Sequence, residues 1–198
     1  TMNYSSALFE GNFNQSMQDA QHAKVRRALQ VTDVQKGSRV LEIGCGWGAL
    51  AEKATQEFGA HVTGVTLSTE QLAFANARMK WNGTAEQTDL RLQDYRDIND
   101  GPYDAICSIE MIEAIGHQFQ DTYFAKCASL LKPGGKALIQ AITIEDHRYQ
   151  QALDSVDFIK RYIFPGSYIP CVSSMVASAA QAGQLRLLDL QDIGDSYA

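Results

Sequence analysis

The most suggestive chemistry in the sequence lies in a glycine-rich turn at residues 42–48 (EIGCGWG), directly after a short β-rich run. Glycines permit positive φ angles and let a ligand approach the backbone. A helix is predicted behind the turn, and the first N–H groups of a helix are free to bind a ligand. The spacing alone is a weak signal, because dinucleotide enzymes carry similar turns and a tight strand-to-helix connection also uses glycine.

Polar side chains follow the next strand-like runs. The second run ends in Thr66, with Ser68 and Gln71 close behind, and it lacks the carboxylate that usually holds ribose hydroxyls at this point. These three side chains can supply neutral hydrogen bonds instead, although Ser68 also suits a helix N-cap. Asp94 follows the third run, and Glu113 follows the fourth. Without further context, the better interpretation of Glu113 is an exposed carboxylate that caps the following helix.

The elements that must position these residues alternate along the chain. Strands are predicted at 39–43, 61–67, 90–92, 103–109 and 136–144, and a further strand at 185–190; helices are predicted at 16–30, 49–58, 69–81, 119–131 and 172–182. Strands that alternate with helices pair in parallel, with helices on both faces. The pattern therefore predicts an α/β fold with a doubly wound, Rossmann-like, mostly parallel sheet, whose carboxyl edge carries the site.

Composition limits the classes of function. The chain has 198 residues, a net charge of −6 and 45% apolar residues, which predicts one domain with one sizeable core. An acidic chain without a Lys/Arg block is a poor candidate for nucleic-acid binding. Its longest apolar runs fall short of a membrane span, and its four Cys and four His lack the spacing of metal ligands. We therefore expect a cytoplasmic protein with reduced thiols, no metal and no nucleic-acid partner.

Several stretches, taken in order, resemble the cyclopropane-fatty-acyl-phospholipid synthase family. They are residues 4–7, 41–48, 66–71, 93–96, 108–116 and 158–166. Their order and spacing make the resemblance specific, and it covers nearly the whole chain. It implies the class I S-adenosylmethionine-dependent methyltransferase fold. The sheet of that fold ends in a hairpin of sixth and seventh strands, so the sequence predicts a truncation before the last strand.

The resemblance also implies a reaction. Family members transfer the methyl group of S-adenosylmethionine to a cis double bond of an acyl chain, and a bound bicarbonate then removes a proton from the resulting carbocation. Carried over by position, the bicarbonate site consists of Glu113, Ser6 through its backbone N–H, Gln140 and Ile142. Ser6 stands where the family usually has Cys, while Ala114 and Gln140 stand where it often has His. These departures leave open whether the product is a cyclopropane or a methylated chain.

The resemblance assigns the cofactor-binding residues in the same way. Tyr4 and Ser5 belong at the sulfonium end, and Gly44, Cys45 and Gly46 take the methionine portion. Thr66, Leu67 and Gln71 take the ribose, whereas Gln93, Asp94 and Tyr95 surround the adenine, with Ile109 nearby. For Tyr95, ordinary core packing is the alternative interpretation.

The remaining segments complete the predicted organisation: an N-terminal segment over the cofactor (1–38), a cofactor-binding core (39–144), an acyl-substrate insert (145–170) and a C-terminal helix and strand (171–198). The insert carries six apolar residues, of which we expect some to pack in the core and the rest to line an acyl pocket: Phe158, Ile159, Tyr162, Ile163, Phe164 and Tyr168. The expected partner is an unsaturated phospholipid, with peripheral contact at the inner membrane surface and the oligomeric state left open. Two alternatives stand: a methyltransferase for a small amine or other soluble acceptor, and an inactive cofactor-binding fragment.

Overall fold

The computed structural model describes residues 2–3, 5–156 and 158–197, and its centre is a five-stranded parallel sheet. The strands are β1 (Arg39–Ile43), β2 (His61–Thr66), β3 (Thr88–Leu92), β4 (Tyr103–Ile109) and β5 (Leu131–Gln140), in the spatial order β3-β2-β1-β4-β5. All four strand pairs are parallel. The strand order reverses between β1 and β4, which is where open α/β sheets bind ligands.

In the part of the chain that the structure describes, six α-helices connect and cover these strands. They are α1 (Met17–Val31), α2 (Ala49–Phe58), α3 (Thr69–Trp81), α4 (Gln120–Leu130), α5 (Asp146–Asp154) and α6 (Val172–Gln181). Ser16 caps α1 by accepting a 3.1 Å hydrogen bond from the backbone N–H of Asp19. Ser68 caps α3 in the same way, at 3.2 Å from the N–H of Gln71. The predicted starts of α1 and α3 at these two caps are confirmed.

The core has two parts because successive strand residues face opposite sides of the sheet. On one side, Val40 and Cys107 pack among buried residues of α1, α2 and α3. On the other side, Leu41 and Ile106 pack against α4, with partly buried residues of α6. Helices on both faces confirm the predicted doubly wound, class I methyltransferase-like architecture.

The structure corrects two strand predictions. β5 begins at Leu131 and ends at Gln140, four residues before the predicted end at Ile144, because Gln140 pairs with Ile109, the last residue of β4. Residues 185–190 are irregular instead of forming a sixth strand, and Leu187, Leu188 and Leu190 are exposed. An apolar run forms a strand only beside a neighbouring strand, and none of the described strands pairs with this run.

Among the described helices, none has the length and apolar character to cross a membrane.

Candidate functional site

The glycine-rich turn links β1 to α2 at the carboxyl edge of the sheet. The N–H groups of Gly44 and Cys45 both donate to the carbonyl of Val65, at 3.0 and 2.9 Å. Gly44 has φ +85°, and a Cβ added there would lie 2.8 Å from Cγ of Met111. At Gly46, with φ +49°, an added Cβ would meet no atom within 4 Å. The turn is therefore tightly held on the β4 side and open above Gly46.

Glu42 adds a buried carboxylate beneath this turn. It is 7% exposed, and it accepts a hydrogen bond from the backbone N–H of Ala51. Its Oε2 finds no hydrogen-bond partner among the described residues. Burial raises the pKa of Glu42 to about 8. In the sequence Glu42 is only part of the motif; a carboxylate inside the apolar run of β1 is the signal that singles it out.

The end of β2 carries a small hydrogen-bonded group. The hydroxyl of Thr66 donates to Oε1 of Gln71 at 2.9 Å and accepts from the backbone N–H of Ser68 at 3.2 Å. Leu67 points outward and is 75% exposed. The three predicted ribose-binding residues, Thr66, Leu67 and Gln71, thus lie together next to the glycine turn.

The predicted adenine-binding residues separate into two environments. The N–H of Gln93 donates to the carbonyl of Thr66 at 3.1 Å, which joins the ends of β2 and β3. Asp94 binds Arg96 through both carboxylate oxygens, and these hydrogen bonds hold the pKa of Asp94 below its usual value. Tyr95 is buried, with its ring 5.4 Å from that of Tyr123. Tyr95 thus packs against the core in this structure, and its contact with the adenine stays a prediction.

A second group of residues lies where β4 and β5 end. Glu113 sits on a 3₁₀ turn (Ile112–Ala114), and its Oε1 accepts a 2.6 Å hydrogen bond from the backbone N–H of Ile142. Its Oε2 is buried, and no described residue hydrogen-bonds it. Burial raises the pKa of Glu113, and the bond from Ile142 opposes that change. The arrangement leaves one carboxylate oxygen available to a substrate.

Ser6, Gln140 and Ile109 meet at the same edge, around a residue that sequence reasoning missed. Oε1 of Glu110 accepts from the backbone N–H of Ser6 at 3.0 Å and from Nε2 of Gln140 at 2.9 Å. Ile109 directly precedes Glu110 and pairs with Gln140. Glu110 belongs to the stretch 108–116 that carried the resemblance. Glu110 contacts Ser6, which lies 104 positions away in the sequence, so no local pattern predicts its role.

Two polar residues of α1 anchor the N-terminal segment. Gln21 donates to the carbonyl of Ser5 at 2.7 Å, and Lys24 donates to the carbonyl of Ser6 at 2.7 Å and to the Ser5 hydroxyl. Both side chains are buried, and burial lowers the pKa of Lys24 to about 8. Sequence reasoning missed both, although two long polar side chains on a buried helix face are an unusual feature. Tyr4, predicted at the sulfonium end, lies outside the described residues.

These contacts test whether the residues fit the two ligands that the family resemblance implies, S-adenosylmethionine and bicarbonate. S-adenosylmethionine fits, because the side of Gly46 is open and Oε2 of Glu42 has no hydrogen-bond partner among the described residues. Bicarbonate does not fit. The N–H of Ser6 and the amide of Gln140 are bound to Glu110, and the N–H of Ile142 is bound to Glu113. The described part of the chain also has no group of three metal-ligating side chains.

The aromatic insert divides into exposed and buried residues. Phe158, Tyr162, Ile163 and Phe164 are each at least 49% exposed. Tyr168, by contrast, is buried, and its hydroxyl donates to Gln120 at 2.9 Å. Its backbone N–H also donates to the carbonyl of Glu113 at 3.0 Å, which ties the insert to the second group. Tyr168 is therefore one of the insert residues that pack in the core.

Comparison with known proteins gives consistent matches. The family model described as "Mycolic acid cyclopropane synthetase" matches residues 1–198. Tuberculostearic acid methyltransferase of Mycobacterium tuberculosis is 40% identical over 204 residues, covering 100% of this chain and 47% of that protein. Cyclopropane-fatty-acyl-phospholipid synthase of Escherichia coli K12 is 36% identical over 178 residues, covering 90% of this chain and 44% of that protein. The chain thus spans about half the length of these relatives.

A solved structure matches the fold over nearly the whole chain. A mycolic acid cyclopropane synthase in complex with SAH and CTAB superimposes with a TM-score of 0.87 at 28% identity. The match covers 98% of this chain and 70% of that one.

Proposed function

Since the chain belongs to the mycolic acid cyclopropane synthetase family, we propose that it methylates the cis double bond of an unsaturated acyl chain with S-adenosylmethionine as donor. Several relatives are named for lipid chains: a fatty-acyl phospholipid, a mycolic acid and a sphingolipid. The product is a cyclopropane or a methylated chain. Within this class, we propose an acyl chain carried by a phospholipid, reached by peripheral contact with a membrane surface.

The cofactor site of the proposal is the edge between β1 and β3. Gly44, Cys45 and Gly46 hold the methionine portion, with the uncommitted carboxyl oxygen of Glu42 below them. Thr66, Leu67 and Gln71 hold the ribose, Gln93 and Asp94 border the adenine, and Ser5 closes the sulfonium end. When bound, S-adenosylmethionine supplies an electrophilic methyl group. The open space above Gly46 supports this assignment.

The observation that carries the proposal is the pair of carboxylates that follow β4, Glu110 and Glu113. An alkene needs no base before it is methylated, so the chemical difficulty is the carbocation that follows. A fixed anionic group stabilises such a cation best where water is excluded. Glu113 meets this need, because its Oε1 is fixed by the N–H of Ile142 and its buried Oε2 has no partner among the described residues.

The acyl chain requires an apolar approach to these carboxylates. The exposed aromatic residues of the insert supply apolar surface, and Tyr168 connects that insert to the carbonyl of Glu113. Ile142, 41% exposed, lies at the same place through its contact with Glu113. A soluble amine acceptor would have no use for an exposed aromatic surface of this kind, which favours the lipid substrate.

The test is incubation of the purified protein with S-adenosylmethionine and vesicles of unsaturated or fully saturated phosphatidylglycerol. We expect S-adenosylhomocysteine to form only with the unsaturated lipid, and one acyl chain to gain the mass of one methylene. Small amines serve as the competing acceptors. Methylation of amines without any change in the lipid would contradict the proposal, as would equal turnover with saturated vesicles.

A further inference from the structure

Glu110 occupies the position that an anion would need between Ser6 and Gln140. Its Oε1 accepts the Ser6 N–H at 3.0 Å and the Gln140 amide at 2.9 Å, and the same amide lies 3.3 Å from the Ser6 hydroxyl. Two converging N–H donors, one from the backbone and one from a side chain, form an anion-binding position. Here a carboxylate of the protein itself fills that position.

We propose that the carboxylate of Glu110 takes the place of bicarbonate in this protein and acts as the base that removes the proton after methyl transfer. The proposal rests on the proposed function, since it assigns a role within that reaction. It also explains why the bicarbonate donors are already engaged by carboxylates of the chain.

The backbone at Glu110 is unusual in a way that suits a dedicated role. Its φ is +49°, a left-handed conformation that is unfavourable for a residue with a Cβ. Such strain persists where surrounding contacts over-determine it, and it is concentrated at functional sites. The N–H of Glu110 donates to the carbonyl of Gln140 at 2.8 Å, so backbone pairing extends one residue beyond β4 and fixes the carboxylate against its two donors.

The charge environment favours an anion at this position. Lys24 is buried under the N-terminal segment, where it donates to the carbonyl of Ser6 at 2.7 Å. Burial lowers the pKa of Lys24, and the negative charge of Glu110 partly opposes that change. The cation of α1 and the carboxylate after β4 therefore act on each other across Ser6.

The proposed step balances in atoms and charge. A C–C bond forms between one alkene carbon and the methyl group as the sulfur–methyl bond breaks, which leaves a cation on the other alkene carbon. A proton of the new methyl group then passes to Glu110. The electron pair of that C–H bond closes the three-membered ring at the cationic carbon. The product is neutral, and Glu110, now a carboxylic acid, returns its proton to solvent before the next turnover.

The experiment compares the wild type with Glu110→Gly, Glu110→Gln and the exposed control Glu86→Gln. Glycine empties the anion position and accepts the positive φ, so Glu110→Gly is expected to fold. Glutamine fills the position but cannot take the proton. Circular dichroism and S-adenosylhomocysteine affinity verify that each variant is folded.

The first readout is binding of ¹³C-bicarbonate, measured by NMR line broadening with S-adenosylhomocysteine present. We expect no saturable binding to the wild type or to Glu86→Gln, and saturable binding to Glu110→Gly. Binding to the wild type, or its absence in Glu110→Gly, would overturn the proposal. This readout does not depend on turnover.

The second readout is methyl transfer to unsaturated vesicles in buffer freed of carbon dioxide. We expect full activity for the wild type, and a loss of about 100-fold for both Glu110 variants. Added bicarbonate should restore Glu110→Gly and leave Glu110→Gln inactive. A wild type that needs bicarbonate, or a Glu110→Gln variant within a few-fold of wild type, overturns the assignment of the base. A wild type without lipid product in either buffer contradicts the proposed function instead.

Discussion

The carboxylate of Glu113 accepts a 2.6 Å hydrogen bond from the backbone N–H of Ile142, and this contact joins the turn after β4 to the segment after β5. One oxygen of Glu113 is thereby committed to structure, while the other is buried without a partner among the described residues. A carboxylate divided in this way can hold its geometry and still offer charge to a reacting group.

Substitution Glu113→Gln tests that division. The amide oxygen of Gln can still accept from Ile142, so we expect the fold and the cofactor affinity to remain, within about 3-fold. The negative charge is lost, and methyl transfer should fall about 100-fold. Steady-state formation of S-adenosylhomocysteine with unsaturated vesicles measures the loss, with Glu86→Gln as the matched control. An unchanged turnover number would show that Glu113 serves only to hold the segment at Ile142 in place.

Glu42→Gln should change how stability depends on pH. The pKa of Glu42 is about 8 in the folded protein and ordinary in the unfolded chain, so the folded state binds the extra proton more tightly. The stabilisation linked to that proton is complete below about pH 4.5 and disappears as the pH rises toward 8. Glutamine does not titrate, so the variant does not lose this stabilisation as the pH rises. Relative to wild type, the variant should gain at most about 1.4 kcal/mol per pH unit across that window.

Urea unfolding at several pH values measures this difference, with Glu86→Gln beside it because its carboxylate is exposed. The Glu86→Gln curve should follow that of the wild type. Parallel pH curves for Glu42→Gln and wild type would mean that Glu42 is ionised throughout the window.

Gly44→Ala should destabilise the protein more than the same substitution at another glycine with a positive φ, such as Gly37. Gly44 and Gly37 have nearly equal φ angles, +85° and +83°, so alanine costs about 1–2 kcal/mol at either position. At Gly44 the new Cβ also meets Cγ of Met111 at 2.8 Å, which adds about 1–3 kcal/mol. Denaturant unfolding of the two variants isolates the difference, and Met111→Ala in the Gly44→Ala background should recover part of it. Equal losses at both positions would exclude the clash.

The fold could be predicted largely from the sequence because its signals are local. Alternating apolar runs, the glycine turn and the capping residues Ser16 and Ser68 are each contained within a few positions, and the structure confirms these elements. The exceptions depend on neighbours. Residues 185–190 have the composition of a strand, but a strand exists only where another strand pairs with it.

The site was only partly predictable, for the same physical reason. Glu113 could be named because its surrounding motif resembles a family, and the structure brings it to Ile142. Glu110 and Lys24 could not be named, since their contacts with Ser6 join segments that are far apart in the chain. Burial also places Tyr168 in the core, which separates it from the exposed aromatic residues of the insert in a way that the sequence alone does not.

Lys24→Met should loosen the N-terminal segment without unfolding the sheet. Lys24 donates to the Ser6 carbonyl and the Ser5 hydroxyl, and methionine keeps the apolar bulk but neither hydrogen bond. We expect S-adenosylmethionine affinity to fall about 10-fold, which is worth about 1.4 kcal/mol, one net hydrogen bond of this charged kind. Amide exchange at residues 5–8 should become faster. Lys80→Met, at an exposed position, is the control; identical affinity in both variants would contradict an anchoring role.

Phe164→Asp should separate lipid contact from folding. Phe164 is 50% exposed, so a charge placed there disturbs little of the core, yet it would oppose entry of an acyl chain or contact with an anionic bilayer. We expect a rise of about 10-fold or more in the half-saturating concentration of unsaturated vesicles, with the unfolding midpoint and cofactor affinity unchanged. Trp81→Asp is the matched control, because Trp81 is 91% exposed at the end of α3, away from the insert. Vesicle co-sedimentation and turnover measured on both variants decide the question. If Phe164→Asp behaves like Trp81→Asp on vesicles, the exposed aromatic residues of the insert do not contact the lipid.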